Sequence, residues 1–160
     1  MSIRNLDRIF KPRGVAVVGA SEREGTVGFT LLRNLLEAGF PGAVHPVNPK
    51  HASVQGLPSV ADVTQLSTVP DLAVVCTPAR TVPEVVAQCG RVGVRGVIIV
   101  SAGFREAGGE GQALEQQVLD AARPYEGLRL VGPNCLGSIV PGARLNASFA
   151  ASMPDPGHVA

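Results

Sequence analysis

Five short apolar runs recur along the chain: VAVVG at 15–19, AVHPV at 43–47, LAVVC at 72–76, GVIIV at 96–100 and LRLV at 128–131. The runs are nearly continuous and do not show the apolar–polar alternation of a sheet that has one wet face. Strands of this kind are covered on both faces, as in a parallel sheet between helices. Between the runs the period lengthens. Leu31, Leu32, Leu35 and Leu36 form one helical face, which Gly39 ends. Thr81 and Glu84 have capping-box spacing ahead of Val85, Val86 and Cys89, and Gly93 closes that segment. Leu114, Val118, Leu119 and Ala122 give a third face before Pro124. The stretch from Asn48 to Val69 is weaker in pattern and is read as one short helix over 57–63.

Strand alternating with helix at this spacing predicts an α/β fold, a Rossmann-like doubly wound parallel sheet in a single domain, with strand order 3-2-1-4-5. No internal repeat is visible beyond the strand–helix unit. In such sheets ligands lie outside the carboxyl ends of the strands. The residues just after each run therefore matter most: GAS, NPK, TPAR, SAGF and GPNC.

Composition narrows the field. The 160 residues are 45% apolar and 17% charged, with 14 basic and 13 acidic side chains. A net charge of +1 without a basic run leaves no electrostatic footprint for nucleic acid or an anionic membrane. No apolar run reaches the roughly 18 residues of a spanning helix, and MSIRNLDRIF has no hydrophobic signal core, so a cytoplasmic protein is expected. Cys76, Cys89 and Cys135 are far apart and form no CxxC pair, which predicts neither a disulfide framework nor a metal site. The 19 glycines and 13 prolines sit between the apolar runs and mark turns.

The first turn carries the clearest chemistry. Gly19 closes the first run, Ala20 and Ser21 are small, and Gly25, Val27 and Gly28 lead into the leucine helix. Small residues let backbone N–H groups approach a phosphate, and a helix N-terminus adds partial positive charge. A glycine-rich turn also packs helix against strand in many α/β domains. The glycines do not fit G-x-G-x-x-G, and no lysine stands where a P-loop needs it. After the second run an NAD site expects Asp or Glu for the ribose hydroxyls, whereas this chain has Asn48, Pro49 and Lys50. A lysine there suits a phosphate on the ribose, as in coenzyme A and in part NADP, although a lysine is most often simply a solvated surface residue.

VAVVGAS with Gly28, NPK at 48–50, TPA at 77–79 (Thr77, Pro78, Ala79), SAGF with Glu106, and GPNCLG at 132–137 together resemble the amino-terminal CoA-binding domain of the NDP-forming acyl-CoA synthetases. That superfamily includes the ADP-forming acetate–CoA ligases and the succinyl-CoA synthetase α subunit. The resemblance covers essentially the whole chain. It implies that residues 21–25 line the CoA diphosphate, that Lys50 meets the adenosine end, and that Val100, Ser101 and Ala102 contact CoA. Asn134 and Cys135 then lie toward the thiol end, and Glu106 is the acidic residue that commonly follows the GF. No residue is expected to be catalytic. Cys135 has no nameable base, and a small packing residue is the favoured reading of it.

The resemblance also implies a division of the chain into a lead-in at 1–14, a CoA-binding domain at 15–150 and, at 151–160, the opening of a second domain. In the family that second domain carries a phosphorylated histidine, and an ATP-grasp module passes the phosphoryl group to ADP; both are expected as partners, in cis or in trans. His158 is read as a strand-entry residue, His45 as lying within the second strand, and His51, after NPK, as within hydrogen-bonding reach of the ligand. The function implied is the CoA-binding part of an ADP-forming acyl-CoA ligase, acetate foremost, inactive by itself. Two alternatives stand beside it: a ligase-like regulatory module fused to a GNAT lysine acetyltransferase, and an NAD(P)-binding redox domain.

Overall fold

The structure is a computed structural model, and it describes residues 3–157. His158 and the two residues after it lie outside the described residues. A short helix α1 (Asp7–Phe10) precedes strand β1 (Gly14–Val18), helix α2 (Val27–Glu37) and strand β2 (Ala43–Val47). A small hairpin of β3 (Ser53–Val54) and β4 (Leu57–Pro58) follows, then β5 (Leu72–Val75), α3 (Val82–Val92), β6 (Gly96–Ile99), α4 (Gly109–Ala122) and β7 (Arg129–Val131). A second hairpin, β8 (Gly137–Val140) with β9 (Leu145–Ser148), completes the order.

All five apolar runs are strands of one parallel sheet, ordered β2-β1-β5-β6-β7. In terms of the runs this is 2-1-3-4-5, which corrects the expected 3-2-1-4-5. The reason lies at the outer edge of β2. There Val60 forms a parallel bridge to Val47, Asn48 N–H donates to Val60 O at 2.9 Å, and Ser59 Oγ donates to Pro46 O at 3.2 Å. That edge is occupied, so the third run pairs with the free side of β1. Pro46 fits the same conclusion, because proline cannot donate to a ladder and belongs on an edge strand.

Burial follows position in the sheet. Every residue of β1, β5 and β6 is buried, while the edge strands β2 and β7 are partly exposed. Alternate residues serve the two faces. Ala16, Val18, Val75 and Ile99 pack with Val82, Val86 and Cys89 of α3 and Val118 of α4. Val15, Val17, Val74 and Ile98 pack with Leu31, Leu32 and Leu35 of α2, with Ile9 of α1 and with Leu145 and Ala147 of β9.

Local details depart from expectation in four places. Leu36 and Leu119, placed on apolar faces by spacing, are 39% and 49% exposed. Thr81 does not cap α3: a 3-10 turn (Ala79–Thr81) runs straight into the helix, and the Thr81 hydroxyl turns back to Pro78 O at 2.8 Å. The helix expected over 57–63 is instead β4, a bend and a 3-10 turn (Val63–Gln65) capped by Asp62. Gly39 and Gly93 do terminate their helices with positive φ, +64° and +98°.

At the amino ends of the strands, Asp71 gathers the start of the chain. Its carboxylate accepts from Arg8 at 2.6 Å and from the Arg13 backbone and guanidinium at 3.0 and 3.1 Å. Burial opposes ionisation of Asp71, but these hydrogen bonds outweigh it and hold the carboxyl below its ordinary value. Among the described residues no helix is long and apolar enough to cross a membrane.

Candidate functional site at the carboxyl edge of the sheet

The carboxyl end of β1 is shaped by two glycines in contact. Gly19 has φ +96°, and a side chain there would come within 3.1 Å of Cys76 Sγ and Thr77 Cγ2. A Cβ on Gly28, in the first turn of α2, would overlap the Gly19 carbonyl oxygen. The helix therefore starts hard against the strand it follows. Thr26 caps it, its hydroxyl accepting from Phe29 N at 3.3 Å and donating to Arg23 O at 2.7 Å.

The turn between Gly19 and Thr26 is held from the β2 side. Asn48 Nδ2 donates to Ala20 O at 2.7 Å, and Asn48 Oδ1 accepts from Lys50 N at 2.7 Å. The amide that sequence placed against a ligand thus spends its donor on the neighbouring loop. Lys50, next along, is exposed. The β3–β4 hairpin reaches the same turn: Gln55 Nε2 donates to Ser21 O at 3.2 Å and to Phe29 O at 3.0 Å, and Gln55 N donates to Glu22 Oε1 at 2.6 Å.

A cleft of about 600 Å³ opens where β1 lies between β2 and β5, the point at which chain order reverses across the sheet. Its lining includes Gly19, Asn48, Pro49, Lys50, Thr77 and Pro78 from the expected set, with Val18, Val47, Cys76, Val85 and Gln88 completing the walls. Two carboxylates, Asp62 and Glu84, share the rim with Lys50. The Thr64 hydroxyl and amide and Gln65 donate to Asp62, and these bonds keep its carboxyl below the ordinary value. Burial pushes the Cys76 thiol up to about 12, and its Sγ lies 3.2 Å from Val18 O, so at neutral pH this wall is an uncharged sulfur.

The remaining expected residues lie farther along the edge. Ser101 Oγ donates to Thr77 O at 2.6 Å, and Asn134 N donates to Ser101 O at 3.0 Å, which links the loops after β5, β6 and β7 into one rim. Val100 and Ala20 are buried, so their side chains belong to the core. Ala102 is exposed. Glu106 accepts from the Gly103 and Phe104 amides at 2.6 and 3.1 Å; those bonds lower its carboxyl, which acts as a brace for the SAGF loop. Asn134 sits at φ +52° beside Glu106 in a separate depression of about 530 Å³. Cys135 is half-buried, its Sγ lies 3.3 Å from Ile99 O, and burial raises its thiol. Ser21, Gly25 and Val27 complete the first turn and its junction with α2; Gly25 has φ +78° with open space around it.

Sequence reasoning passed over Gln55 altogether. The available signal was Gln-Gly between SV and LP: both turn residues have positive φ, +50° and +80°, as a two-residue hairpin of type I′ requires. Among the described residues no group of His, Cys, Asp and Glu is placed to hold a metal ion.

The profile of the family described as the CoA binding domain matches residues 13–141. The chain belongs to the CoA-binding domain family. Its relatives are consistent with that membership. This CoA-binding domain is 44% identical over 155 residues to the ADP-forming acetate–CoA ligase I of Archaeoglobus fulgidus, covering 97% of this chain and 22% of the relative. It is 39% identical to the α subunit of the Pyrococcus furiosus ADP-forming acetate–CoA ligase I, covering 98% of this chain and 34% of that one. Among solved structures, the acetyl-coenzyme A synthetase 1 of Candidatus Korarchaeum cryptofilum, in complex with phosphate and ADP, superposes with a TM-score of 0.85 at 39% identity, over 90% of this chain and 30% of that one. The CoA-binding domain thus spans about a fifth to a third of the length of these relatives.

Proposed function

We propose that this chain holds coenzyme A along the carboxyl ends of β1, β2 and β5, as the CoA-binding part of an ADP-forming acyl-CoA ligase for a short-chain acid, acetate foremost. The observation that carries the reading is the cleft at the carboxyl ends of β1, β2 and β5: it is lined by Gly19, where the glycine turn begins, and by the exposed Lys50. A ligand with a diphosphate and a separate ribose phosphate matches those two features. Both acetate–CoA ligases reported above are ADP-forming, which favours the ligase reading.

In this reading the glycine turn takes the diphosphate, Lys50 pairs with the 3′-phosphate, and Val18, Val47 and Val85 supply the apolar wall. Thr77, Ser101 and Asn134 carry the rim toward the thiol end. Coenzyme A supplies the nucleophilic thiol, which attacks the carbonyl carbon of an acyl phosphate made elsewhere in the enzyme; the C–S bond of the thioester forms as the acyl C–O bond breaks, and inorganic phosphate leaves with the thiol proton. The residues here fix where that thiol stands, a contribution of proximity and not of bond-making. Cys135 is a packing residue in this reading and not a nucleophile: its sulfur is engaged with Ile99 O, its thiol is raised by burial, and among the described residues no base lies in hydrogen-bond contact with it. The phosphohistidine and ATP-grasp modules are the partners this reading requires.

Calorimetric titration of the chain with CoA, dephospho-CoA and NADH tests it. CoA is expected to bind, dephospho-CoA several-fold more weakly, and Lys50→Ala to erase the difference. Binding of NADH in preference to CoA would overturn the reading.

A further inference from the structure

The glycine turn is oriented by side-chain amides that are distant in sequence. Asn48 Nδ2 donates to Ala20 O at 2.7 Å and Gln55 Nε2 to Ser21 O at 3.2 Å. A trans peptide unit is planar, with its C=O and N–H pointing in opposite directions. Drawing the carbonyls of Ala20 and Ser21 toward Asn48 and Gln55 therefore turns the N–H groups of Ser21 and Glu22 to the other side of the turn. Among the described residues neither N–H meets an acceptor. The same hairpin also removes a competing charge, because Gln55 N–H, 2.6 Å from Glu22 Oε1, holds that carboxylate on the hairpin side. Two free successive amides ahead of a helix N-terminus, with the Glu22 carboxylate drawn aside, are suited to an anion.

We propose that Gln55, with Asn48 beside it, is a positioning residue that presets the Ser21 and Glu22 amides as an anion cradle. Its specific work is done by two donors on one side chain, to Ser21 O and to Phe29 O, which tie the turn to the first turn of α2. Gln55 stands at the tip of the β3–β4 hairpin, in a Gln55–Gly56 turn with positive φ at both residues. The proposal rests on the CoA reading for the identity of the natural anion, but the cradle itself would act on any diphosphate.

The test follows backbone amide resonances of the ¹⁵N-labelled chain during separate titrations with inorganic pyrophosphate and with CoA. The Ser21 and Glu22 resonances are expected to move with both. Gln55→Met keeps the side-chain length and removes the donors; it is expected to require on the order of tenfold more of either ligand, the scale of one lost hydrogen bond to a charged group's support. Should Gln55→Met fail to fold, Gln55→Asn, one methylene short of both carbonyls, is expected to show the same weakening. Equal midpoints in wild type and variant would overturn the role of Gln55. Absence of any Ser21 and Glu22 response, with CoA shifting only residues around Lys50, would overturn the cradle and leave the CoA reading standing. A response to pyrophosphate without one to CoA supports the cradle and removes CoA as its ligand.

Discussion

Gly28 lies so close behind Gly19 that a single added methyl would overlap the Gly19 carbonyl oxygen. The contact joins the end of β1 to the start of α2 and sets the height at which the helix N-terminus stands beside the cleft. Gly28→Ala is expected to cost about 1–3 kcal/mol of stability, the scale of overpacking at a site that cannot relax cheaply. Urea denaturation measures that cost, and CoA titration of the folded fraction should show weakened binding as the turn is pushed outward. An unchanged midpoint would mean the helix start is compliant.

Asn48 is expected to act on the turn and not on the ligand's charge. Asn48→Asp places an oxygen opposite Ala20 O where a donor now stands, so the turn loses its anchor and CoA binding weakens. Lys50→Ala, by contrast, should leave dephospho-CoA binding as it was. Comparing the two variants against CoA and dephospho-CoA separates positioning from charge recognition.

Asp71 links stability to pH. Its folded value lies below the ordinary 3.8, so its contribution is fully present above that value and is lost as pH falls through the lower, folded one. Asp71→Asn is expected to cost about 1.5–3 kcal/mol at neutral pH, the range for hydrogen bonds to charged groups. The variant should also show a shallower loss of stability below about pH 4. Denaturation midpoints between pH 2 and 7 check both.

Cys76 and Cys89 should be inert in the native state. Burial pushes both thiols up to about 12, so at pH 8 almost no thiolate is present. Alkylation with iodoacetamide followed by mass spectrometry is expected to leave both unmodified in the folded chain and to modify all three cysteines in denaturant.

Glu106 is expected to matter as a brace. Glu106→Gln keeps one acceptor for the Gly103 and Phe104 amides and should change little, whereas Glu106→Ala frees both and should speed hydrogen exchange there. Equal exchange in the two variants would assign Glu106 another role.

The sheet and its loops were legible because the strands of a parallel sheet covered by helices leave nearly continuous apolar runs, and all five runs became strands of the central sheet. The leucine and valine helices were legible for the same reason, in period 3.6. Their edges were not: Leu36 and Leu119 have the right spacing, yet both stay exposed at the margin of their helix faces. The β3–β4 and β8–β9 hairpins carry too few residues to produce a period. Strand order was partly visible in Pro46, whose missing donor argues for an edge, but its partner on that edge, Val60, lies in a segment with no pattern of its own.

The sequence by itself determined the class of fold, the five loops at which a ligand could sit, and the unusual pairing of a glycine turn with Asn48 and Lys50. These depend on residue type and short-range spacing, which the chain displays directly. Only the tertiary structure decided which side chains remain available to a ligand. Asn48, Glu106 and Cys135 are engaged with backbone groups distant in sequence or folded back on their own loops, and Gln55, unremarkable in the sequence, reaches two carbonyls of another loop. The physical reason is that each hydrogen bond has two ends, and sequence shows one of them; the other is supplied by the crossing of elements that are 26 to 36 residues apart along the chain.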